Sequence, residues 1–225
     1  MFSSADFDSS SYGGRKEGQD VSWKSTIEER WCATCNLGHL LSGCSKSLDR
    51  YTFRHDSVLS HLLDTIIKRK KKGVEVFADL NGWRVNGGTV PQDMALTEQK
   101  PDLVVIDRSV TPNKVLLVEL TVPWDAANTF QAAVERKTAR YERLTEDLRE
   151  AGYDARNLPL EIGCRGVINQ RNAANLEYIC NQVGIRSIKK LKGALGRVAL
   201  IGSYRIWLAR NSQEWSAGEL IKVKA

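Results

Sequence analysis

The chain predicts an α/β fold, a mixed sheet flanked by helices, from three features of its apolar pattern. Two apolar runs of strand length lie close together, at 102–108 and 114–123. The second is apolar on both faces, which marks a central strand covered from both sides rather than one with a solvated face. Two long amphipathic segments, 54–72 and 126–151, bracket them, each with one apolar stripe to bury. With further strands near 74–80 and 160–167, the order reads α-β-β-β-α-β.

The opening stretch, MFSSADFDSSSYGGRKEGQD, is rich in Ser, Gly and Asp, and residues 1–30 are read as disordered. Residues 31–50 hold Cys32, Cys35, His39 and Cys44 in a C-x2-C-x3-H-x4-C arrangement. Thiolates and an imidazole in that order suit tetrahedral Zn²⁺ in a small knuckle, with Gly38 and Gly43 easing the turns. Free thiols are the competing reading. Cys164 and Cys180 stand apart and are expected to be buried singly.

The first long helix, RHDSVLSHLLDTIIKRKKKG, has Thr52 as a possible cap, Val58, Leu59, Leu62, Leu63, Ile66 and Ile67 as its apolar face, and Gly73 as its end. NGWRVNGGTVPQDMALTEQ, between the first two strands, carries turn residues and reads as a loop or short hairpin. FADL, at Phe77–Leu80, lacks the second Asp of a polymerase metal motif. In the second long helix, Asp125 is a candidate N-cap, and Phe130, Val134, Tyr141, Leu144 and Leu148 form a stripe. Two C-terminal helices, in NAANLEYICNQVG and IKKLKGALGRVALIGSYRIWLAR, are expected to pack outside a core of 51–168 as an extension over 169–225, with Trp207 and Leu208 anchoring the last.

Two charged residues break the apolar pattern. Glu119 sits inside KVLLVELTVP, on one face with Val115, Leu117 and Thr121. A buried carboxylate is costly unless it is paired or metal-bound, so it is either half of a structural ion pair or a ligand. Asp102, at the start of the preceding strand, supplies the second hard oxygen donor that Mg²⁺ or Mn²⁺ wants. Lys137 fills the one gap in the second helix's stripe. It either faces those carboxylates or packs its stem and snorkels. His55, on the inward face of the first helix with Leu59 and Leu62, reads equally as a hydrogen-bonded core histidine or a catalytic one.

These residues carry a resemblance. CxxC followed by HLLSGC, then RYTFRHDSVL, VFADLNGW, TVPQDMALTEQKPDLVV, VLLVELTVPWD, ERKTARYERL and EIGCRG run in order from Cys32 to Gly166. They resemble the restriction-like endonuclease domain of non-LTR retrotransposon polyproteins, a branch of the PD-(D/E)xK nuclease superfamily with an upstream CCHC zinc knuckle. The resemblance implies a metal-dependent DNA endonuclease that nicks by phosphodiester hydrolysis. Asp102, Glu119 and the Leu120 carbonyl would hold Mg²⁺ or Mn²⁺, and His55 and Lys137 would be catalytic. Arg54, Lys100 and Arg140 would face the nucleic acid, with Tyr141 beside Arg140. The superfamily's usual lysine two residues after the Glu is Thr121 here, and the retrotransposon branch carries its lysine on the next helix, where Lys137 lies. The gap between Cys35 and His39 is shorter than the branch's, and Asp102 and Glu119 stand further apart.

Composition agrees. The 225 residues carry a net charge of +6 with a pI near 9.1, which favours a polyanionic partner, DNA or the RNA of an element. Lysines 68, 70, 71 and 72, and separately Lys189, Lys190, Lys192 and Arg197, are basic clusters that could grip phosphates. For any single lysine, satisfying a helix dipole or facing solvent is the first reading. No apolar run is long enough to span a membrane and no signal-peptide pattern is present, so a reducing compartment is expected, nuclear by the resemblance and otherwise cytoplasmic. A transposon-derived fragment that binds nucleic acid without cutting is the rival reading, and a protein that kept only the fold is a third.

Overall fold

The computed structural model describes residues 36–212, 215–216 and 218–224, with side chains omitted over 127–138. Among the described residues, a short helix α1 (Leu37–Ser42) precedes the long α2 (Leu48–Arg69). Strands β1 (Val74–Ala78), β2 (Leu103–Asp107) and β3 (Lys114–Thr121) follow, then α3 (Ala127–Glu150) and β4 (Asp154–Glu161). Helices α4 (Gln170–Val183) and α5 (Lys189–Leu208) complete the chain. The sheet order is β1-β2-β3-β4. The first two pairings are antiparallel and β3–β4 is parallel, which is why a whole helix, α3, connects those two strands. The α/β class and the α-β-β-β-α-β order are as expected.

Strand alternation divides the core. Val115 and Leu117 pack with Val104, Ile106, Tyr141, Leu144 and Leu148 beneath α3. Leu116, Val118 and Leu120 face the opposite way, into the larger cluster built by α2, α4 and α5. Being covered on both faces is what makes β3 apolar at every interior position but Glu119. Cys164 and Cys180 are buried, as read from sequence. No helix among the described residues is long and apolar enough to cross a membrane.

Several boundaries differ from expectation. Helix α2 begins at Leu48, through the point where a domain boundary was placed, because Arg50 and Phe53 extend its buried face backwards. Thr52 lies inside it, its hydroxyl donating to the Leu48 carbonyl at 3.1 Å. The helix ends with Lys70 as C-cap, and Gly73 (φ +84) instead makes the turn into β1. Strand β4 starts at Asp154 rather than near 160, since the polar, proline-containing DARNLPLE lies on the sheet edge, where proline is tolerated. Asp125 is not the cap of α3; Ala126 is, without a side-chain bond. Trp207 and Leu208 are exposed, because α5 buries Leu195, Val198, Ala199, Gly202 and Ile206 on its other side. Both C-terminal helices share the main core instead of lying outside it.

Cys32 and Cys35 lie outside the described residues, as does the segment 1–30 expected to be disordered. His39 is in α1, whose N-terminus is capped by the Asn36 side chain, and Gly43 is its C-cap. Cys44 follows, buried, its N–H donating to the Tyr51 hydroxyl at 2.9 Å.

Candidate active site

Asp102 and Glu119 meet at one end of the sheet. Leu103 pairs with Val118, so one residue further Asp102 lies across from Glu119. The backbone binds the two reciprocally: the Leu120 N–H donates to Asp102 Oδ2 at 2.8 Å, and the Asp102 N–H donates to Glu119 Oε2 at 3.2 Å. Glu119 is 2% exposed, on the α3 face of the sheet. Two carboxylates on neighbouring strands, one in an otherwise apolar strand, suit a small divalent cation that takes one or two carboxylates and leaves its remaining positions to water and phosphate. Among the described residues no three His, Cys, Asp or Glu side chains form a complete metal cage.

Helix α2 brings His55 to this pair. Its Nε2 lies 3.2 Å from Asp102 Oδ2 and its Nδ1 3.0 Å from Asp56 Oδ1. Burial would lower the imidazole's pKa, but the hydrogen bonds and charges of Asp102 and Asp56 outweigh it and raise the value to about 10. Because the folded value exceeds the unfolded one, the stabilisation is complete below about pH 6.5 and is lost as pH rises through about 10. Between pH 7 and 10, the wild type is expected to lose about 1–3 kcal/mol more stability than His55→Gln. Urea unfolding of both at the two pH values measures this, and equal losses would remove the charged pair from the account.

Helix α3 covers the site. Arg140 Nη1 is 3.7 Å from Glu119 Oε1, with its side chain 56% exposed. Tyr141 donates its hydroxyl to the Lys100 carbonyl at 3.1 Å, and Gln99 Nε2 donates to the Arg140 carbonyl at 2.9 Å. These bonds clamp the segment before Asp102 onto the helix. Burial, then the Glu119 charge, pushes the Tyr141 hydroxyl pKa up, so it remains a donor. Lys100 serves through its backbone while its side chain is exposed. Lys137 is one helical turn before Tyr141, and its side chain lies outside the described residues.

Arg54 differs from expectation. At 2% exposure it cannot face a phosphate. It donates instead to the Val122 carbonyl at 3.0 Å and to Ser203 Oγ at 2.9 Å, tying α2 to the end of β3 and to α5. Gly202 permits this close crossing, since a Cβ there would stand 2.6 Å from Arg54 Cγ. Lys189 and Lys190 are exposed on the first turn of α5, and no ion pair or hydrogen bond among the described residues joins them to the carboxylates.

Two features escaped the sequence reading. Glu161 shares a rung with Thr121, at 1% exposure, and among the described residues neither of its carboxylate oxygens meets a hydrogen-bond partner; burial pushes its pKa up. Thr121 Oγ1 is likewise buried, with no partner among the described residues. The signal was available, because Glu161 interrupts Leu160 and Ile162 as Glu119 interrupts its own run. The second is Asp125, whose Oδ2 accepts from the Arg165 N–H at 2.7 Å and from Arg165 Nε at 3.1 Å. No protein-family model matches the chain, and no curated protein matches it significantly.

Proposed function

We propose that this chain is a metal-dependent DNA endonuclease of the PD-(D/E)xK kind, resembling the nicking domain of a non-LTR retrotransposon polyprotein. The observation that carries the reading is Glu119, a buried carboxylate in an apolar strand, bonded to the backbone of Asp102 on the neighbouring strand. The strand order, with its parallel β3–β4 pair across α3, supports the same architecture. Asp102, Glu119 and the Leu120 carbonyl would hold Mg²⁺ or Mn²⁺, which supplies water activation and steadies the leaving oxygen. His55, backed by Asp56, positions Asp102 from the α2 side. Arg140 beside Glu119 binds and orients the scissile phosphate, and Lys137 orients the attacking water or offsets charge developing on phosphorus. Zn²⁺ on Cys32, Cys35, His39 and Cys44 is the companion proposal, as is a nuclear setting.

Thr121 favours one alternative, a transposon-derived fragment that binds nucleic acid without cutting, because no cation stands at the superfamily's usual lysine position. Incubating the purified protein with supercoiled plasmid and Mg²⁺ or Mn²⁺, beside Asp102→Ala and Lys137→Ala, separates the readings. Nicked circles from wild type alone are expected. Binding by all three proteins with the plasmid left supercoiled would leave the non-cutting fragment.

A further inference from the structure

A second basic feature, away from the carboxylates, lies between the loop after β4 and helix α5. A groove of about 300 Å³ is lined there by Arg165, Gly166, Lys192, Gly193, Gly196 and Arg197, with apolar side chains completing its walls. Among the described residues, no acidic side chain lines it. Its floor is bare backbone: a Cβ on Gly166 would sit 2.6 Å from the Gly196 carbonyl oxygen, and one on Gly196 would sit 2.7 Å from that of Gly166. Loop and helix therefore touch main chain to main chain, which brings Arg165 beside Lys192 and Arg197.

The arginines are held in place. The Arg165 N–H and Nε donate to the buried Asp125 carboxylate, Nη2 donates to the Asp125 carbonyl at 3.2 Å, and the guanidinium lies 4.7 Å from the Trp124 ring centroid. Asp125 offsets part of Arg165's charge, which leaves Lys192 and Arg197 as the stronger cations of the groove. Arg197 Nη2 donates to the Lys224 carbonyl at 2.8 Å. Arginines fixed this way lose little rotamer freedom when an anion arrives.

Position indicates what the anion is. Strand β4 ends at Glu161, in register with Thr121 and so two residues from Glu119, and Arg165 follows four residues later. The groove thus opens at the same end of the sheet as Asp102 and Glu119. The lysine run after α2 lies at the opposite end, where Val74 pairs with Asp107, and Lys71 is already bonded to Asp107 at 2.8 Å. We propose that this groove binds the phosphodiester backbone of the DNA beyond the cleavage point, holding it across the end of the sheet. The proposal rests on the endonuclease reading for its choice of ligand.

The test is anisotropy of a fluorescent DNA duplex titrated with the full chain in EDTA, so that no cutting occurs. Lys192→Glu/Arg197→Glu is compared with Lys70→Glu/Lys72→Glu, an equal charge change at the far end of the sheet, where Lys70 Nζ donates to the Val74 carbonyl. All four side chains are exposed. The groove pair is expected to weaken binding by roughly tenfold and to lower the log–log salt slope by about two, against less than about twofold for the distal pair. Equal losses in the two pairs, or no loss in the groove pair, would overturn the proposal. If the wild type never nicks plasmid but the groove pair still binds weakly, the nuclease reading fails and the groove stands as a DNA-binding surface.

Discussion

Glu119→Gln is expected to abolish plasmid nicking, a loss of at least ~10³-fold, while leaving the fold as stable as wild type or about 1 kcal/mol more stable. The expectation follows from where this side chain sits. At 2% exposure it is a carboxylate in an otherwise apolar strand, beside Asp102, Arg140 and Tyr141, and its isostere avoids the cost of burying charge. Glutamine keeps an oxygen for the Asp102 N–H that Glu119 accepts at 3.2 Å. What it loses is the anionic donor that a divalent cation needs, and the attraction for an Arg140 side chain that is 56% exposed and 3.7 Å away. A structural ion pair predicts the reverse, a fall of about 3–5 kcal/mol from breaking a buried pair. Urea unfolding and the nicking assay on the same preparation distinguish the two: activity lost with stability kept supports a site, and stability lost supports a strut.

The second large effect is expected at Gly166. Its φ of +89° lies in the region that side chains avoid, and its Cβ would collide with the Gly196 backbone at 2.6 Å. Gly166→Ala should therefore cost about 2–4 kcal/mol, from backbone strain and from separating the loop from α5. Gly87 provides the comparison, with φ +79° but nothing within 4 Å of its added Cβ. Gly87→Ala should cost only about 1 kcal/mol, the strain alone. Similar losses at both positions would show that the contact between loop and helix contributes little.

How far the sequence was legible can be traced residue by residue. Glu119 and Asp102 were legible because a charge inside an apolar run is conspicuous whatever surrounds it. Helices α2 and α3 were legible because their apolar stripes are long enough to fix a period, and strand β3 because its run is apolar on both faces. Strand β4 was misplaced because an edge strand with a proline and a polar start carries no apolar alternation over its first half. Arg54 was misread for a different reason. Its place beside His55 is visible in the chain, but its burial depends on α5 crossing α2 at Gly202 and Ser203, about 150 residues later, as closing contacts over such sequence separations leaves no local trace.

By itself, then, the sequence determined the order of elements, the covered central strand and the two carboxylates, since these depend on periodicity and on the cost of a buried charge, both properties of a local stretch of chain. Only the tertiary structure decided that Asp102 and Glu119 bond to each other's strands, that His55 reaches Asp102 from one helix while Arg140 and Tyr141 close over the pair from another, and that Arg165 joins Lys192 and Arg197 in one groove. The physical reason is that periodicity assigns a side chain to a face, while strand register and helix crossing choose what stands opposite it.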